Sequence, residues 1–117
     1  MREIGARSRE VFEFIGPAVD MFEDGSDLVV VIDLPGFEKE SIRTRFGDSY
    51  LVVTAKRKKE EYDGVSYWEQ RPLRLSRRIP LPVKVKKEED TEIKATYKDG
   101  VLTIRLPMES ATSIVVE

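Results

Sequence analysis

"EIKATYKDGVLTIRL", residues 92–106, is the stretch on which the fold turns. Two short β-rich runs, Glu92–Tyr97 and Val101–Leu106, flank Lys98-Asp99-Gly100. Asp-Gly supplies the positive φ that a tight antiparallel hairpin needs, so the stretch reads as two paired strands. Working outward, "LRLSRRI" (Leu73–Ile79) is a further strand, ended by Pro80 and Pro82. "IRTRF" (Ile42–Phe46) alternates, turns at Gly47-Asp48-Ser49 and runs into "YLVVTAK" (Tyr50–Lys56). "DLVVVIDL" (Asp27–Leu34) is a continuous apolar strand between the turns Asp24-Gly25 and Pro35-Gly36, and these last three strands read as a meander. From Val19 onward the period is two, and no long helical pattern interrupts it. The expectation is an all-β domain, a small antiparallel β-sandwich.

Both ends break this pattern. Residues 1–16 carry Ile4, Val11, Phe12, Phe14 and Ile15 among charges, before Gly16-Pro17 stops the run. Ile4, Val11 and Ile15 fit one side of a helix, weakened by Gly5, so a partly helical arm is expected. At the other end, small and polar residues from Met108 to Ser113 lead to Ile114, Val115 and Val116. Three branched apolar residues in a solvated tail cost roughly 25 cal/mol per Å² until something covers them. The chain therefore divides into an arm (1–16), a domain (17–107) and a tail (108–117).

The 117 residues suit one domain, with 40% hydrophobic and 36% charged side chains and a net charge of -2. No overall field draws such a chain to nucleic acid. The absence of cysteine and histidine removes disulfides, thiolate metal sites and the usual general base. Glu60-Glu61 and Glu88-Glu89-Asp90 lie in Lys-rich loops and read as solvated charges, and no glycine-rich loop is spaced to cradle a phosphate. Lys56-Arg57-Lys58-Lys59 runs directly into Glu60-Glu61, the pattern of a soluble hairpin tip. The expectation is no catalysis, no cofactor and no metal, with no nucleic-acid partner. No apolar run approaches the ~20 residues of a membrane span and the N-terminus has no signal core, so a cytoplasmic location is expected. Asparagine is absent and Gln70 is the only glutamine, a bias that fits a protein living hot.

"DLPGF" (Asp33–Phe37), "RRIPLP" (Arg77–Pro82), "ATYKDGVL" (Ala95–Leu102) and the closing "IVV" (Ile114–Val116) occur in order. Together they resemble the small heat shock protein (α-crystallin) family, over roughly residues 17 to 117. Ala95, Gly100, Val101 and Leu102 match its A-x-x-x-x-G-V-L signature, and Ile114 and Val116 match its C-terminal I-x-I/V motif. The resemblance implies an immunoglobulin-like sandwich that forms a dimer, and dimers that assemble into a shell, about 24 subunits in archaeal and plant-like members. It also implies an ATP-independent holdase whose partners are copies of itself and unfolded clients.

Site residues follow from the same resemblance. The tail places Ile114 and Val116 in a neighbour's groove between "IRTRF" and "EIKATY", lined by Ile42, Thr44, Ile93 and Ala95; residues i and i+2 of an extended tail point the same way. Val115 points opposite, at a position often polar in the family. The segment Arg57–Gln70 corresponds to a loop exchanged between subunits, in which Ser66–Glu69 pairs with the partner's first strand near Val19–Phe22. Tyr67 and Trp68 then cover the partner, and Glu69 matches an acidic position common in that loop. With Leu81-Pro82 as the family doublet, Arg77 is the arginine that bonds across the dimer or to a carboxylate; with Ile79-Pro80 as the doublet, Leu75 stands there instead. Arg78 reads as solvated. Clients would meet Ile4, Val11, Phe12, Phe14 and Ile15 of the arm. The rival is a monomeric co-chaperone or adaptor on the same sandwich, which would not need the tail.

Overall fold

Asp99 and Gly100 both adopt positive φ, 53° and 76°, so the hairpin at residues 94–107 closes through the two-residue turn its Asp-Gly dipeptide calls for. A computed structural model describes residues 16–86 and 93–109. It contains seven strands: β1 (Val19–Asp24), β2 (Asp27–Asp33), β3 (Arg43–Phe46), β4 (Tyr50–Lys56), β5 (Arg74–Pro80), β6 (Lys94–Lys98) and β7 (Val101–Pro107). Among the described residues the one helical element is a 3-10 turn at Lys39–Ser41. All pairings are antiparallel, in a four-stranded sheet ordered β1-β2-β7-β6 and a three-stranded sheet ordered β3-β4-β5. This is the expected sandwich. The arm residues 1–15, with Ile4, Val11, Phe12, Phe14 and Ile15, lie outside the described residues. So do Ile114 and Val116 of the tail, and Glu88-Glu89-Asp90.

The core comes from alternation. Leu28, Val30 and Ile32 of β2, Leu102, Ile104 and Leu106 of β7, and Leu51 and Val53 of β4 are all buried between the two sheets. β2 is apolar along its length: Leu28, Val30 and Ile32 face the core, and Val29 on the opposite face is buried as well.

The strand order corrects the meander expected from β2 through β4. With both its edges occupied, β2 has no room for β3, and the chain crosses to the other sheet instead. Pro35-Gly36 turns it, with Gly36 at φ 82°. The Glu38 amide then donates to the Lys56 carbonyl at 3.0 Å, and the Ser41 hydroxyl donates to the same carbonyl at 2.8 Å, docking the crossing on β4.

Candidate functional site

Four edges bound the two sheets, and two of them leave the sandwich open. Directly opposed residues on neighbouring antiparallel strands point to the same face. Thr44 on β3 opposes Val53, which is fully buried, yet Thr44 is exposed. Ala95 on β6 opposes the fully buried Ile104, and is likewise exposed. Both residues thus face inward on edge strands without being covered. Ile42 and Ile93 are half-buried against the core. The Tyr97 hydroxyl on β6 donates to the Leu34 and Phe37 carbonyls at 2.5 and 3.3 Å, tying β6 to the segment that leads into β3. Small residues at 44 and 95 thus leave inward-facing positions on two edge strands uncovered, while the core residues opposite them, Val53 and Ile104, are fully buried.

A second surface is built by the segment between β4 and β5. The Arg57 amide donates to the Leu73 carbonyl at 3.0 Å and its guanidinium to the Pro72 carbonyl at 2.6 Å, which cinches the neck. Beyond the neck the segment forms no strand. Tyr67 and Trp68 are 86% and 75% exposed, with Tyr62 and Val65 also in solvent. Glu69 lies 3.5 Å from Lys59 across the base of the loop. On the four-stranded sheet, β1 is an edge strand and its Phe22 is half in water. One chain thus carries an aromatic loop left largely in solvent and a strand edge that no other described strand pairs with.

Arg77 lies on the inward side of β5 between Leu75 and Ile79, half-buried, and its guanidinium fills the space a side chain at Gly16 would need. Arg78 points outward into solvent and also stacks over the Tyr50 ring at 4.4 Å. One feature escaped sequence reading. Arg105 on β7 donates from Nε to Asp27 at 3.0 Å and from Nη2 to Asp24 at 2.7 Å, clamping the β1–β2 turn. The Asp24 bond first, and then the Asp27 bond, raises the arginine's already high pKa. No group of His, Cys, Asp or Glu suited to a metal occurs among the described residues, and none of their helices is long and apolar enough to cross a membrane.

Comparison with known proteins gives a consistent picture. A family model described as the Hsp20/alpha crystallin family matches residues 20–116. The solved structure of an hsp14.1 mutant from Sulfolobus solfataricus P2 is 44% identical, with a TM-score of 0.80, covering 99% of this chain and 93% of that one. A small heat-shock protein from Xylella fastidiosa, whose structure is described as having a distinct high order, is 29% identical with a TM-score of 0.65, covering 86% and 93%. The 16.9 kDa class I heat shock protein 1 of Triticum aestivum is 34% identical over 108 residues, 89% of this chain and 70% of the wheat protein.

Proposed function

The chain belongs to the Hsp20/alpha crystallin family, and from that premise we propose that it is an ATP-independent holdase of the cytoplasm. It binds partly unfolded proteins under heat stress and keeps them from aggregating. Its working form is a shell of dimers, about 24 subunits. The dimer forms by exchange of the aromatic loops: Ser66–Glu69 of one subunit adds to β1 of the other, Tyr67 and Trp68 cover the partner's surface, and Arg77 supports the joint from the adjoining sandwich edge. Ile114 and Val116 of each tail then enter the slot of Ile42, Thr44, Ile93 and Ala95 on a neighbouring dimer. Clients meet Ile4, Val11, Phe12, Phe14 and Ile15 of the arm.

The observation that carries this reading is the exposure of inward-facing positions 44 and 95 on the edge strands β3 and β6. An extended segment with apolar residues at i and i+2 matches that slot, and the tail supplies such a segment. A monomeric adaptor would leave Tyr67 and Trp68 in water, which speaks against it. Light scattering of a heat-stressed client, without nucleotide, tests the proposal. Equimolar subunits should suppress the rise in scattering, and an unchanged rise would overturn the holdase reading.

A further inference from the structure

The three-stranded sheet segregates charge. Its strands carry Arg43, Arg45, Lys56, Arg74, Arg77 and Arg78 and no acidic residue, whereas the four-stranded sheet carries Asp20, Glu23, Asp24, Asp27 and Asp33. Five of those cations share the outer face, opposite the buried Leu51, Val53 and Ala55. The register places them in rows: Arg45, Val52 and Arg78; then Arg43, Thr54 and Ser76; then Lys56 beside Arg74. Cations therefore stand on the two flanking strands, while the middle strand between them shows the small Val52 and Thr54 and ends in Lys56. With strands about 4.8 Å apart, this is a shallow basic trough roughly 10 Å wide running along β4. Among the described residues no carboxylate pairs with any of the five. Arg43 donates to the Glu40 and Ile42 carbonyls, and Arg78 is held over Tyr50, so two of the guanidinium groups are already oriented.

We propose that this face docks an extended, acidic stretch of polypeptide. The spacing fits that occupant: Arg43 and Arg45, two residues apart on one strand, are separated by about 6.8 Å, the same repeat as alternate side chains of an extended peptide. Guanidinium forks match carboxylates. A single-stranded nucleic acid fits less well, because the one aromatic ring along the trough, Tyr50, is already covered by Arg78 and offers no stacking face. A bilayer fits less well too, since the face presents no large apolar side chain to insert. Resting on the holdase reading for its biological occupant, the proposal adds a client class: unfolded chains with acidic segments are retained better than basic ones.

The test measures binding, apart from any protection assay. A labelled peptide of alternating glutamate and alanine is titrated with the full chain, its anisotropy followed at about 20 mM and about 500 mM salt. Binding is expected at low salt and should vanish at high salt. The variant Arg43→Gln/Arg45→Gln/Arg74→Gln/Arg78→Gln should bind about tenfold or more weakly, since each exposed pair contributes little alone and four are removed. Lys94→Gln/Lys98→Gln on the other sheet should change affinity less than about twofold. If the fourfold variant does not melt cooperatively, the salt series on the unaltered chain decides. No binding at low salt, or equal binding by a folded fourfold variant, overturns the proposal. Tighter arginine-dependent binding of a labelled oligouridylate, or of phosphatidylglycerol vesicles, overturns the choice of occupant. A failed scattering assay with intact peptide binding would instead sink the holdase reading alone.

Discussion

Tyr67→Ala with Trp68→Ala should convert the proposed dimer to a folded monomer. Large aromatic side chains bury roughly 150–250 Å² each. At 86% and 75% exposure in the single chain, each ring has roughly 120–200 Å² left to cover. Covering it stabilises by about 3–5 kcal/mol per ring, as an upper bound. A symmetric exchange buries four rings. Even a third of the total, on the order of 4–7 kcal/mol, weakens dimerisation about a thousandfold to a hundred-thousandfold. The sandwich itself should be nearly indifferent, because the rings leave most of their surface uncovered within their own domain. Sedimentation at micromolar concentration reads the mass, and the thermal melt followed by circular dichroism reads the fold. A double variant that keeps the mass of the unaltered protein would refute the exchange argument, and one that loses its β signal would show that the rings pack at home.

Other expectations follow from the same geometry. Ile114→Ala with Val116→Ala, or Ala95→Glu in the slot, should release dimers from the large particle on size exclusion with light scattering, whereas Val115→Ala should do far less. Ile104→Ala removes a fully buried side chain and should cost about 2–5 kcal/mol in denaturant unfolding. Gly100→Ala forces a side chain into positive φ with its Cβ 3.1 Å from the Pro35 Cα, and should cost about 1–2 kcal/mol in the same assay. Deleting residues 1–14 should leave the β signal intact while reducing client protection.

Local chemistry explains what was legible in the sequence. The β6–β7 hairpin was readable because its turn residues and its pairing lie within a few positions of each other. The partners of β2 were not: sequence adjacency suggested β3, whereas the occupied edges of β2 sent β3 to the other sheet. The Arg105 clamp needs β1, β2 and β7 in register, and no short window holds all three. Thr44 and Ala95 illustrate a different limit. Nothing about a threonine and an alanine announces a slot, and they were nameable only through the family resemblance. Their significance comes from what opposes them, Val53 and Ile104, across strands. The basic trough was hidden for the same reason: its five cations are spread over three strands, and composition averaged them against the acids of the other sheet.

The pairing of β2 with β7 sets a clock during synthesis. Asp27 meets Pro107 and Asp33 meets Val101, so the most apolar strand of the chain must wait for nearly the whole domain before its second edge is covered. At 5–20 residues per second, the roughly 70 intervening residues take about 3–14 s to emerge. Through that interval β1 can close one side of β2 as a hairpin, and β3, β4 and β5 can assemble among themselves, but "VVVI" at Val29–Ile32 keeps an unpaired edge. A protein proposed to shelter the exposed strands of others thus passes through a nascent stage in which its own central strand is the hazard.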